Sequence, residues 1–207
     1  MIIKRAMVVI FLFSFYQLKS EALVNVKTII PTIAIDLKYA TTDNFVHKKV
    51  YDFNTCYLLE NVCLALKKVQ EDLAPLGFGL KIFDGFRTMQ AQFKFWEICP
   101  DPRYVSDPHK EMGRHTRGTA VDLTLINLKS REELEMPTEF DDFTEKAAPN
   151  YTGASETAIK NRSLLQHVMN KYGFTNNKTE WWHFDYEGWQ NCQPLNIIPR
   201  NEDRIEI

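Results

Sequence analysis

No stretch of this chain is apolar for the roughly twenty residues that a membrane-spanning helix requires. The longest largely apolar run, Ala6 to Tyr16, is 11 residues long. Charge of one sign is also missing: 25 Lys and Arg stand against 27 Asp and Glu, a net of -2. That balance gives no attraction to nucleic acid or to an anionic membrane surface. No internal repeat, low-complexity tract or linker interrupts the 207 residues, so the length suits one domain with a proper core. Cysteine is sparse, at four residues, and none has a His or Cys neighbour at metal-binding spacing.

The beginning differs from the rest. Lys4 and Arg5 precede the apolar run, and Ser20-Glu21-Ala22 follows it with small residues where a signal peptidase reads. This is the layout of a secretory signal peptide over residues 1–22, with a single domain over 23–207. Export to a periplasmic or extracellular space is the expectation, with no stable membrane insertion after cleavage. An oxidising space permits disulfides among Cys56, Cys63, Cys99 and Cys192 without requiring them. Cys56 and Cys63 read as two turns apart on one helix, about 10 Å, too far to bridge. Buried thiols and a disulfide through Cys99 or Cys192 remain equal readings.

Periodicity predicts the elements. Residues 29–38 alternate loosely as a strand broken by Pro31. Asn54 or Thr55 caps a helix to about Leu73, with Leu59, Val62, Leu66, Val69 and Leu73 at helical spacing. Gly79 to Phe83 is a strand, and Thr88 caps the next helix, which stops before Pro100. Residues 119–125 are the clearest strand: Val121, Leu123 and Leu125 point one way, Ala120, Asp122 and Thr124 the other. Residues 129–157 form a long irregular loop, a length that usually carries function. Ala158 to Tyr172 is an amphipathic helix stopped by Gly173. Residues 181–186 read as an aromatic strand, and the tail after Pro194 as a surface strap. The connections do not repeat as βαβ units, so the fold class is α+β with a small, mostly antiparallel sheet packed with helices.

Two short stretches carry the chemistry. Residues 113–125 contain His115 and Asp122; Glu180-Trp181-Trp182-His183-Phe184 contains His183 and Glu180. Two histidines and one carboxylate hold a tetrahedral Zn²⁺ with one position left for water, which is the pattern of a catalytic site. An acid inside an apolar strand is costly to bury unless paired or metal-bound, which singles out Asp122. Glu180 is the matching general base. Strict alternation sets Glu180 and His183 on opposite faces, so Glu180 must precede the strand or a bulge must intervene. Arg87, at a strand exit after Asp84-Gly85-Phe86, reads either as a salt-bridge partner of Asp84 or as an oxyanion holder. Asp141 and Asp142 read either as a solvated acidic turn or as an anchor for a substrate ammonium.

Over about Asp36 to Trp189 the sequence resembles the zinc D-alanyl-D-alanine dipeptidases, the family that includes the vancomycin-resistance dipeptidase. The matching stretches are Tyr39-Ala40-Thr41-Thr42-Asp43-Asn44-Phe45, Val50-Tyr51, Leu80 to Arg87, His115 to Leu125, Phe140-Asp141 and Glu180 to Phe184. The resemblance implies the small α+β fold of the zinc D,D-peptidases and one Zn²⁺ per chain on His115, Asp122 and His183. It implies Glu180 as proton shuttle, Arg87 at the oxyanion, and Asp141 on the free ammonium of a small D,D-dipeptide drawn from cell-wall turnover. The chain departs from the family pattern in three places. Gly113 stands where a small hydroxyl residue usually helps hold substrate, Thr88 where Pro follows the Arg, and Pro137 where Gly is usual. Two other readings fit the same residues: a D,D-carboxypeptidase or endopeptidase acting on the wall, and a non-catalytic zinc-binding module that recognises wall peptides.

Overall fold

The computed structural model describes residues 22–207; the expected signal peptide otherwise lies outside the described residues. In chain order the elements are β1 (Ala22–Asn25), α1 (Val26–Ile29), β2 (Ala34–Ile35), β3 (Tyr57–Leu59), α2 (Glu60–Leu73) and β4 (Phe78–Asp84). There follow α3 (Met89–Ile98), β5 (Ala120–Asn127), α4 (Glu156–Lys171), β6 (Phe174–Asn176), β7 (His183–Tyr186) and β8 (Arg204–Glu206). A five-stranded sheet runs β2-β4-β5-β7-β6, and a three-stranded sheet runs β3-β1-β8. Only the β2–β4 pairing is parallel, so the α+β, mostly antiparallel expectation holds, with two sheets rather than one.

Four local expectations change. The strand read over 29–38 shrinks to two residues, because Val26–Ile29 first coils as α1, capped by the Asn25 side chain on the Lys27 N–H. The second helix starts at Glu60, not near Asn54. Tyr57, Leu58 and Leu59 are all buried and pair with β1, an extended conformation that buries three consecutive large side chains. Thr55 bonds Asn201 instead of capping a helix. Cys56 therefore lies ahead of β3, outside the helix that carries Cys63; all four cysteines are free thiols. The tail is partly a strand: β8 pairs with β1, Ala22 opposite Glu206. The short β6, not expected from the sequence, closes the far edge of the larger sheet.

The remaining helices follow their caps. Thr88 Oγ1 accepts the Ala91 N–H to start α3, and Ser155 Oγ accepts the Ala158 N–H to start α4. The stripe Val62, Leu66, Val69 and Leu73 of α2 is fully buried, as its period requires. Strand β5 is the central strand, and both its faces are covered: every residue from Ala120 to Ile126 is buried. One face joins the core. The other, carrying Asp122, looks into the site.

Candidate active site and metal centre

Three backbone devices bring the site together. The first is a register shift in the β4–β5 ladder between Ile82 and Asp84, which sets Asp84 rather than Phe83 opposite Asp122. The second is the direct pairing of Asp122 with His183 across β5 and β7. The third is the tight helical turn Arg114–Arg117, which presents His115 and ends at Gly118 with φ +68°. Position 118 must be glycine twice over. Its backbone is left-handed, and a Cβ there would sit 2.7 Å from Leu23 Cδ2.

His115, Asp122 and His183 are buried and offer ligand atoms that all lie within 4.8 Å of one another. His115 Nδ1 lies 2.8 Å from the Gly85 carbonyl, so it carries the hydrogen and Nε2 keeps its lone pair. His183 Nε2 lies 3.0 Å from Asp185 Oδ1, which fixes a hydrogen there and turns Nδ1 inward. The inward atoms stand 3.2 Å (His115 Nε2 to His183 Nδ1), 2.9 Å (His183 Nδ1 to Asp122 Oδ1) and 3.4 Å (His115 Nε2 to Asp122 Oδ1) apart. Tetrahedral ligands with bonds of ~2.0 Å are separated by about 3.3 Å. The triangle therefore fits a zinc-sized ion with little rearrangement. Three lone pairs aimed at one point also demand a cation between them. Without a metal that cation is a proton: burial opposes it, but the hydrogen bonds to Asp122 and Asp185 carry the His183 pKa up to about 10. Burial would likewise raise Asp122, yet the two histidines beside it hold it far below the carboxylate range.

Glu180 precedes β7 in a turn, as the alternation argument required, with the His183 N–H directed at its carbonyl. Its Oε2 stands 3.9 Å from His183 Nδ1. Burial pushes its carboxyl up to about 7, and the neighbouring charge of Asp122 adds to the rise. A cation on the three ligands would draw it down again. Asn177 builds this turn. Its Oδ1 accepts the N–H groups of Thr179 (2.8 Å) and Glu180 (2.7 Å), and its amide donates to Glu180 Oε2.

Arg87 makes the salt bridge to Asp84 that its first reading named, and it also faces the cavity. Its Nη2 and Nε bond Asp84 Oδ2 at 2.8 and 3.3 Å, and its Nη1 bonds Gln92 Oε1 at 3.2 Å. Asp84 is wholly buried and also accepts the Tyr51 hydroxyl at 2.8 Å. The guanidinium lies over the rings of Phe95 and Tyr39 and lines the cavity in front of the ligands. The salt bridge is what aims it.

Asp141 and Asp142 separate. Asp142 accepts the Thr144 N–H in a turn, as the bland reading had it. Asp141 turns in: its backbone takes φ +62°, uncommon for a residue with a side chain, and its Oδ1 accepts the Tyr39 hydroxyl at 3.0 Å. Burial, and then the charge of Asp122, raises its pKa well above the usual range.

His115, Asp122, His183, Glu180, Arg87 and Asp141 thus line one cavity of about 490 Å³, whose wall also includes Tyr39, Phe95, Tyr104, Ser106, Gly113 and Trp182. Sequence reading missed the supports. Asp185 was findable, two residues after His183 and hence on the same strand face. Asn177, three before Glu180, carries the signature of an Asx turn. Gln92 and Tyr39 gave no local signal, since their partners are distant in sequence.

The profile of the D-ala-D-ala dipeptidase family matches residues 19–197. The chain is 38% identical over 163 residues to the D-alanyl-D-alanine dipeptidase of Escherichia coli, covering 79% of this chain and 83% of that one. It is 32% identical over 168 residues to the D-alanyl-D-alanine dipeptidase of Enterococcus faecalis, covering 72% and 83%. The solved structure of VanYB in complex with D-Alanine-D-Alanine overlays with a TM-score of 0.43 at 15% identity, covering 68% of this chain and 77% of that one, a likeness too slight to bear on function. The profile match and the two dipeptidases agree with the site geometry: the chain belongs to the D-Ala-D-Ala dipeptidase family, a family of metallopeptidases.

Proposed function

We propose that this protein hydrolyses D-alanyl-D-alanine, or a close D,D-dipeptide, to free D-amino acids, using one zinc ion per chain on His115, Asp122 and His183. The observation that carries this reading is the ligand triangle with Glu180 at its edge and Asp141 facing the same cavity. When bound, zinc supplies a Lewis acid that acidifies water and polarises a carbonyl.

The chain's own groups do the rest. Glu180 takes a proton from the attacking water and returns it to the leaving amine; its burial favours a base poised near neutrality. Three of the five N–H donors of Arg87 are committed to Asp84 and Gln92, leaving two for the oxyanion of the tetrahedral intermediate. These donors cost no reorganisation, because Asp84 already holds the guanidinium. Asp141 receives the α-ammonium of the dipeptide. A carboxylate whose ionisation is opposed by burial gains most from a cation delivered by substrate. Recognition of the free ammonium distinguishes a dipeptidase from a peptidase that trims longer wall peptides.

The source of the substrate is cell-wall peptidoglycan turnover, met outside the cytoplasm. Support for export is the basic start at Lys4 and Arg5 and the apolar run that follows. N-terminal sequencing of the protein recovered from cell fractions tests it. The activity is tested by release of free D-Ala from D-Ala-D-Ala by purified residues 23–207, zinc-loaded, chelated and as Glu180→Gln, with a D-Ala-D-Ala-terminated pentapeptide as competitor. Zinc-dependent cleavage of the dipeptide with the pentapeptide spared is the expected result. Pentapeptide cleavage would move the assignment to a wall carboxypeptidase, and silence on both despite bound zinc would favour a binding module.

A further inference from the structure

Resting on that reading, we propose that Ser106 is a substrate-contacting residue whose hydroxyl donates to the C-terminal carboxylate of the dipeptide, with Gln92 as the residue that positions it. Ser106 lies in the segment between α3 and the His115 turn, and its side chain lines the same cavity as the ligands. Its hydroxyl has no hydrogen-bond partner among the described residues, whereas its backbone carbonyl is held by Gln92 Nε2 at 2.8 Å. Gln92 is itself 1% exposed, and its other amide atom accepts Arg87 Nη1 at 3.2 Å. One buried side chain therefore ties the Ser106 backbone to the guanidinium that faces the reacting carbonyl. A hydroxyl that lines the cavity on a backbone held in this way, without a protein partner, is free to donate to a ligand.

Its position is defined by Gly113. A Cβ built on Gly113 would lie 3.3 Å from Ser106 Oγ and 3.3 Å from Gln92 Oε1. The backbone of Gly113 (φ -59°, ψ 162°) accepts any residue, so nothing in its conformation asks for glycine. A side chain at 113 would instead crowd Ser106 Oγ and Gln92 Oε1, which would have to give by a few tenths of an ångström. The hydroxyl reaches the cavity wall from position 106 instead of from 113. Arg103, Arg114 and Lys178 line the same cavity, as do the carboxylates of Asp141, Glu180 and Asp185. The carboxylate is the end of a dipeptide that suits a hydroxyl donor, just as the ammonium suits Asp141.

The test compares steady-state D-Ala-D-Ala hydrolysis by the zinc-loaded protein, Ser106→Ala, Gly113→Ser and the double variant. Loss of one hydrogen bond to a charged group should raise KM about tenfold in Ser106→Ala with kcat nearly unchanged. Gly113→Ser alone should weaken binding, because two side chains then compete for one space. Combined with Ser106→Ala it should restore KM towards the starting value, a rescue that a merely structural role would not give. The C-terminal amide of the dipeptide, lacking the carboxylate, should inhibit the parent and Ser106→Ala equally. An unchanged KM in Ser106→Ala, a fall in kcat alone, or a double variant no better than Ser106→Ala would each overturn the inference while leaving the dipeptidase reading intact. Failure of the parent protein to cleave the dipeptide would overturn both.

Discussion

Asp122 and His183 face each other across paired central strands, Oδ1 to Nδ1 at 2.9 Å, while Asp185 holds the far nitrogen of the same imidazole at 3.0 Å. One histidine is gripped between two carboxylates with different tasks. Asp122 meets the nitrogen that also faces His115; Asp185 holds the other.

Asp185→Asn should therefore keep the three ligands yet weaken zinc binding, by roughly 10–100-fold, the usual cost of removing a carboxylate behind a ligating histidine. Competition with a chromophoric chelator measures this. Affinity equal to that of the unaltered protein would mean that the strand pairing alone orients His183.

The grip on His183 also makes the stripped protein pH-sensitive. With zinc removed, burial disfavours the charged imidazole, but the bonds to Asp122 and Asp185 lift its pKa from 6.5 to about 10. A group whose pKa is raised by folding stabilises fully below its unfolded value and ceases to do so as pH passes the folded value. Melting temperature of the chelated protein should accordingly fall between pH 6.5 and about 10, and Asp185→Asn should flatten that fall. A chelated melting temperature that rises over this window would refute the assignment.

Asn177 shapes the turn that carries Glu180, through two backbone N–H groups and through the Glu180 carboxylate itself. Asn177→Ala should lower kcat while leaving zinc content at one per chain. A loss of about 10-fold or more is expected if base placement supplies part of the ~10²–10⁴-fold that general base catalysis contributes. Zinc loss in parallel with activity would show instead that the turn supports His183.

Asp141→Asn removes the carboxyl group beside Tyr39 but keeps the shape. KM for the dipeptide should rise by at least about 10-fold, the lower range for a hydrogen-bonded charge pair. Cleavage of an N-acylated dipeptide, which has no ammonium, should be unaffected. Equal loss on both substrates would assign Asp141 a structural role.

The local signals were strong where the physics is local. Thr88 and the spacing of Val62, Leu66, Val69 and Leu73 specify their helices, because capping and the 3.6-residue period act within a few residues. The apolar alternation of 120–125 specifies β5 and turns Asp122 away from the core side chains for the same reason. His115, Asp122, Glu180 and His183 were legible as a set because zinc hydrolysis calls for those side chains and few others. Tertiary structure decided what depends on partners far along the chain. Tyr57–Leu59 became a strand because β1 lies beside it, although its residues continue the helical spacing. Arg87 acquired its place over the cavity only when Asp84, Gln92, Tyr39 and Phe95 converged on it. Asp141 turned inward only because the Tyr39 hydroxyl, 102 residues earlier, meets it. The amino-acid sequence determined which chemical groups the protein owns and which short segments coil or extend. The packing of the sheet against its loops decided which of those groups share one cavity, since burial and hydrogen bonding between distant segments exist only after the chain has closed on itself.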